Sequence, residues 1–125
     1  MKEISNAELS VLNVLWQQSP LSASEVVKQL IESNHWHEKT VKTLLNRLVK
    51  KQAIGFEKQG RRYLYHPLID QSDYQLKESQ SFIEKLFSGR VAPLVAGIAR
   101  ENKLTAKDVE ELQQLIDTWQ QENKS

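Results

Sequence analysis

Between residues 39 and 50 the chain carries two interleaved stripes. Val41, Leu44, Leu45, Leu48 and Val49 recur at the spacing that lines up apolar side chains on one face of a helix. Lys39, Lys42, Thr43, Asn46, Arg47 and Lys50 fill the intervening positions and therefore share the opposite face, with no acid among them. Surface helices commonly mix charge signs, because opposite charges four residues apart stabilise each other. A helix with one face to bury and one wholly cationic and polar face needs both a core and an anionic neighbour. The periodicity predicts it over about Glu38 to Gln52.

The flanking segments define the core. Ser5-Asn6-Ala7-Glu8 is a capping box, in which the serine and glutamate side chains satisfy free N–H groups of a first turn. The helix it opens places Leu9, Val11, Leu12, Leu15 and Trp16 on its apolar side and stops before Pro20. A second box, Ser22-Ala23-Ser24-Glu25, opens a helix with Val26, Val27, Leu30 and Ile31, ending near Ser33-Asn34. After the third helix come two short runs, Ile54 to Lys58 and Arg62 to His66, rich in aromatic and branched residues. The turn Gln59-Gly60-Arg61 joins them as a hairpin, and Pro67 closes the second strand. Three helices followed by a hairpin is the winged helix-turn-helix order.

Beyond Leu68–Gln71 the pattern is helical throughout. One helix is predicted from about Ser72 to Ser88, capped by Gly89, with Tyr74, Phe82, Ile83, Leu86 and Phe87 as apolar positions. A short segment from Pro93 to Arg100 and a last helix from Thr105, with Val109, Leu112, Leu115, Ile116 and Trp119, complete the chain. The expected class is mainly α: a winged helix-turn-helix with a two- to three-stranded wing over residues 1–70, and a helical dimerisation region over 71–125. Short amphipathic helices are marginal alone. Phe82, Leu86, Leu94, Ile98, Leu112, Leu115, Ile116 and Trp119 are therefore expected to build a two-fold homodimer interface.

Charge is distributed to match. Eight Lys/Arg lie between residues 39 and 67 against Glu57 alone, whereas the second half is acidic on balance, within a net charge of only +1. A basic module joined to an acidic one points to a polyanion partner. A helix in the major groove of double-stranded DNA needs donors to base edges and flanking cations for phosphates. Lys39, Thr40, Lys42, Thr43 and Asn46 are assigned to base edges. Arg47 and Lys50, with Lys58, Arg61 and Arg62 at the wing tip, are assigned to phosphates. The N-terminus of the second helix, at Ser22 and Ala23, can offer N–H groups to another phosphate. Tyr63 and Tyr65 read as packing between wing and core, and Trp16, Trp36 and Trp119 as core or interface anchors. The residues alone leave open a winged helix used for protein contact.

Other chemistries find little support. With no cysteine, disulfides and thiolate metal sites are excluded. His35 and His37 form an H-x-H pair, with His66 elsewhere, but no third ligand stands at matched spacing, so neither metal nor cofactor is expected. No nucleophile motif, phosphate loop or paired-carboxylate spacing points to an enzyme. The polar start MKEISNAELS is unlike a signal peptide, and no apolar run approaches the roughly 20 residues that span a bilayer. A cytoplasmic protein without membrane insertion is expected.

Several of these stretches together resemble the BlaI/MecI/CopY repressors. They are Ile4 to Glu8, Val11 to Trp16, Thr40 to Lys51, the wing from Gly60 to Pro67, Phe82 to Phe87 and Val109 to Leu112. The resemblance implies a homodimeric repressor of resistance or stress genes on inverted-repeat operators, often with TACA/TGTA-like half-sites. In the β-lactam-responsive branch it further implies a membrane sensor-protease pathway and cleavage within the dimerisation region. The family's scissile bond, typically Asn–Phe, aligns with Gly97-Ile98. The copper-responsive branch carries a cysteine cluster, which this chain lacks.

Overall fold

A computed structural model describes residues 3–124. The chain divides into two compact units within its fourth helix, one ending at Gln75 and the other beginning at Leu76.

The first unit holds α1 (Asn6–Gln17), β1 (Leu21–Ser22), α2 (Ala23–Asn34), α3 (Glu38–Lys50), β2 (Ile54–Gln59), β3 (Arg62–Pro67) and the start of α4 (Gln71–Phe87). Both predicted capping boxes form: Ser5 with Glu8 at α1, and Ser22 with Glu25 at α2. β3 is the central strand of an antiparallel sheet ordered β1-β3-β2. The hairpin closes at Gln59 opposite Arg62, leaving a two-residue turn, Gly60-Arg61. Gly60 sits at φ 65°, whereas Arg61 keeps a negative φ. That combination belongs to a turn with glycine in its first central position. β1, only two residues long, pairs Leu21 with Tyr65 and Ser22 with Leu64, and so ties the wing to the helices.

The core forms where the three helices and the base of the wing meet. Val41 and Leu48 are fully buried, and Leu44 and Leu45 nearly so, against Val11, Leu12, Leu15, Val26, Leu30 and Ile54. Burying each such side chain is worth about 1.5–3 kcal/mol. Tyr74, one of the apolar positions predicted for the fourth helix, is buried with this core. Its ring lies 5.7 Å from that of Trp16, whose indole N–H donates to the Ile69 carbonyl at 3.0 Å. The first turn of α4 is thereby pinned to the winged helix. Trp36 also packs against the core, half-buried.

α3 ends at Lys50, two residues short of the sequence expectation. Gln52 adopts a left-handed conformation, φ 62°, and donates to the Val49 carbonyl, while Ala53 donates to Leu48. This is a Schellman termination with glutamine in the position usually held by glycine. Replacing Gln52 with glycine is expected to stabilise the unit by about 0.5–1 kcal/mol in chemical denaturation, by relieving the left-handed strain. A loss of stability contradicts this reading.

The next residue back, Lys51, belongs to the fold. Its ammonium contacts Glu8 Oε1 at 2.6 Å and the Glu3 carbonyl at 2.7 Å, with Glu8 only 2 % exposed. Glu8 is thus both the capping-box acid of α1 and the anchor of the C-terminal end of α3. Burial pushes its pKa up, but hydrogen bonds from Lys51 and Ser5 outweigh that and hold it below the ordinary 4.5. A depressed carboxyl pKa stabilises the fold fully above the unfolded-state value; this is lost as pH falls through the lower folded-state value. Lys51→Met strands a buried carboxylate. It is expected to cost about 3 kcal/mol near neutral pH and to flatten the loss of stability below pH 4.5. Wild-type stability in that variant refutes the pairing.

The second unit contains the rest of α4, α5 (Val91–Arg100) and α6 (Ala106–Glu122). α5 begins two residues before the expected Pro93, which sits in its first turn, where a missing N–H costs nothing. Thr105 and Asp108 form the capping box of α6. No side chain of α5 or α6 is buried. Phe82, Leu86, Leu115, Ile116 and Trp119 are exposed, and Leu94, Ile98 and Leu112 half-exposed. Among the described residues, no helix is long and apolar enough to cross a membrane.

Candidate nucleic-acid interface

With its apolar stripe buried, α3 turns every polar residue of the opposite stripe to solvent. Lys39, Thr40, Lys42, Thr43, Asn46, Arg47 and Lys50 are all exposed, as are Lys58, Arg61 and Arg62 on the wing. Side chains four apart stack along a helix. The outer face therefore carries two rows, Glu38–Lys42–Asn46 and Lys39–Thr43–Arg47.

Each row borders a concavity. On the wing side, Lys42 and Asn46 converge with Arg61, Arg62, Tyr63, Tyr65 and Ser22 to Ser24 around a hollow of about 350 Å³. On the other side, His37, Lys39, Thr40, Thr43, Leu44 and Arg47 line one of about 560 Å³. Of the assigned residues, Lys42, Asn46, Arg61 and Arg62 thus line one hollow and Lys39, Thr40, Thr43 and Arg47 the other, while Lys50 and Lys58 line neither. Lys58 lies one pair behind the turn, opposite Tyr63.

The wing is stiffened by its aromatics. Phe56, Lys58, Tyr63 and Tyr65 occupy one face of the hairpin, as the pairings Phe56–Tyr65 and Lys58–Tyr63 require. Phe56 meets Tyr63 edge-on at 4.8 Å and Tyr65 at 5.9 Å. The expectation that both tyrosines pack on the core holds for Tyr65, which is half-buried against it. It fails for Tyr63, which is 45 % exposed and rests on Phe56. Burial raises the Tyr65 phenol above its ordinary pKa, Tyr63 adds to the rise, and the nearby Lys42 charge opposes it.

Local hydrogen bonds determine which groups are free to bind. The Ser22 N–H is spent on Glu25 Oε1 at 2.9 Å, so of the two positions named at the N-terminus of α2 Ser22 has no backbone donor left for a phosphate. Glu25 itself is held below its ordinary pKa by the Ser22 backbone and hydroxyl, burial opposing, with a further contribution from Arg62. The Thr43 hydroxyl donates to the Lys39 carbonyl at 3.0 Å, leaving its methyl group and lone pairs for contact. Lys51, part of the basic run in the sequence, is occupied by Glu8 and Glu3 and adds little to the surface.

The cationic stripe has an acid at its N-terminal end: Glu38 pairs with Lys42 at 3.0 Å, both side chains more than half exposed. Glu38 lies one residue before the 39–50 run, at i,i+4 spacing to Lys42. Among the described residues no cluster of His, Asp or Glu could hold a metal ion.

A winged helix-turn-helix with a buried inner stripe, an exposed basic outer stripe on its third helix and a basic wing tip defines a DNA-binding module. The penicillinase repressor family matches residues 4–118. The penicillinase repressor of Bacillus licheniformis is 35 % identical over 98 % of this chain and 95 % of its own. The methicillin resistance regulatory protein MecI of Staphylococcus aureus (strain N315) is 32 % identical over 91 % of this chain and 93 % of its own. Among solved structures, the DNA-binding domain of the repressor BlaI is 45 % identical over 59 % of this chain and 94 % of that one, with a TM-score of 0.53. The monomeric form of Bacillus licheniformis BlaI in complex with the blaP half-operator is likewise 45 % identical over 58 % of this chain and 89 % of that one, with a TM-score of 0.52. The chain belongs to the penicillinase repressor family, a family of DNA-binding transcriptional repressors.

Proposed function

We propose that the chain is a homodimeric repressor that occupies an inverted-repeat operator in double-stranded DNA and is released by proteolysis in its C-terminal unit. The observation that carries the DNA-binding part is the rotational setting of α3: four buried apolar residues hold Lys39, Lys42, Asn46 and Arg47 outward. In this reading Lys39, Thr40, Lys42, Thr43 and Asn46 face base edges. Lysine donates to guanine O6 and N7, asparagine pairs with adenine, and threonine meets the thymine methyl. Arg47, Lys50, Lys58, Arg61 and Arg62 hold phosphates. The relative solved as a monomer on a half-operator supports one winged helix per half-site.

The second unit supplies the dimer. Phe82, Leu86, Leu94, Ile98, Leu112, Leu115, Ile116 and Trp119 form amphipathic faces that nothing within α5 or α6 buries. Helices of this length need such burial to persist. Two-fold pairing sets recognition helices about 34 Å apart, or a multiple of that, on one DNA face. The second contact then gains effective concentration, so separating the protomers releases the operator. Gly97-Ile98 is the proposed cleavage bond. It lies inside α5, and glycine within a helix costs about 1 kcal/mol relative to alanine, favouring the local opening that a protease needs. A membrane sensor-protease pathway acting in the cytoplasm fits this release, and resistance genes fit as targets.

Gel shifts of duplex DNA over a salt series test the binding. Arg47→Ala and Arg61→Ala are each expected to weaken binding to all sequences alike and to reduce the slope of log K against log salt by about one. An unchanged slope rejects the phosphate role, and indifference of the wild type to duplex DNA at low salt leaves a protein-contact module instead.

Sedimentation tests the dimer. Trp119→Glu is expected to yield a monomer that binds a full operator on the order of a hundredfold more weakly, with half-site affinity preserved. A dimer that persists in the variant removes α6 from the interface.

A further inference from the structure

Glu38 is the one acid that the fold sets among the exposed cations of α3. It occupies the first helical position, in the same row as Lys42 and Asn46. Its carboxylate holds the Lys42 ammonium at 3.0 Å, and Lys42 in turn borders the hollow shared with Asn46, Arg61 and Arg62. An isolated surface pair of this kind adds little stability. It does change what the row can recognise. Without Glu38 the row offers a cation and an amide, a combination that suits any phosphate as well as it suits a base. With Glu38 it offers an acceptor-only group, a donor-only group and an amide in sequence along one ridge.

We propose that Glu38 is a specificity-determining residue of the DNA interface, and that the Glu38–Lys42 pair reads cytosine and guanine together. The carboxylate accepts from the N4 amino group of a cytosine, while Lys42 donates to O6 and N7 of a neighbouring guanine. The pair can enter the groove as a unit because each charge neutralises the other as water is removed. At a thymine or a guanine, Glu38 meets the O4 or O6 acceptor and is repelled; along the backbone it meets phosphates. The same carboxylate therefore also penalises wrong sequences and loose electrostatic docking. This inference rests on the DNA-binding reading given above, with one difference in kind: the other assigned residues add attraction, and Glu38 adds discrimination at a cost in raw affinity.

The test is selection of bound sites from a random duplex pool with full-length wild type and Glu38→Gln, followed by salt-dependent binding to the best site and to a scrambled duplex. The substituted side chain is 60 % exposed, so the fold survives, which a thermal melt checks. Wild type is expected to enrich cytosine at one position of each half-site. In Glu38→Gln that preference is expected to fall about tenfold, with the other positions unchanged. Binding to the scrambled duplex is expected to tighten at least threefold, with a steeper salt slope as Lys42 becomes free for a phosphate. Lys42→Gln is expected to lose the adjacent guanine preference without tightening the scrambled complex. If Glu38→Gln keeps every base preference and merely scales all affinities equally, the inference is overturned and the DNA-binding reading stands. If wild type enriches no sequence, both fall.

Discussion

The burial of four side chains fixes which face of the third helix the first unit turns to solvent. Val41, Leu44, Leu45 and Leu48 lock the rotation of α3 about its axis, and a helix so locked has no choice about which residues point outward. The rest of the first unit serves that setting. α1 and α2 supply the surface that the stripe packs on. The Glu8–Lys51 pair holds one end of α3 to the start of α1. The short strand β1 brings the wing alongside through Leu21 and Ser22. A turn of α3 by a single residue position would bury Lys42 or Arg47, at a desolvation cost far above what any other local interaction could repay.

The polar surface that results is asymmetric. The row Lys39–Thr43–Arg47 is cationic and suits a phosphate backbone as readily as a base edge. The row Glu38–Lys42–Asn46 mixes an acceptor, a donor and an amide, and sits beside the stiff aromatic wing. Affinity without sequence information comes cheaply from cations. An acid next to them lowers such affinity, so its presence marks the side of α3 where selectivity is gained. The wing aromatics fit the same division of labour, because Phe56, Tyr63 and Tyr65 hold Arg61 and Arg62 near the recognition helix rather than on a loose loop.

Much of this was legible in the sequence because it is written in local periodicity and local hydrogen bonding. The capping boxes at Ser5 and Ser22 and the two-faced third helix each depend on residues within a few positions of one another. What was not legible depends on contacts across the chain or on backbone states without a residue signature. The end of α3 was missed because Gln52, not glycine, takes the left-handed position. Lys51 looked like one more surface cation, and only its approach to Glu8, far away in sequence, makes it structural. Tyr74 followed the helical pattern of its neighbours, yet the Trp16 ring draws it into the first core. Glu38 stands one residue before the 39–50 stripe, and only its 3.0 Å contact with Lys42 makes it part of that surface. The family resemblance extended over both halves of the chain and is matched by the family's coverage of residues 4–118.

The central claim is that the outer face of α3, with the wing beside it, is the surface that meets DNA. It is tested most directly by titrating isotope-labelled protein with a duplex at low ionic strength and following each backbone amide by NMR. Perturbations concentrated on residues 38–50 and on the wing around Gly60 and Arg61 are expected, with the inner face of α1 unmoved. Perturbations that bypass α3, or none at all, would contradict the claim.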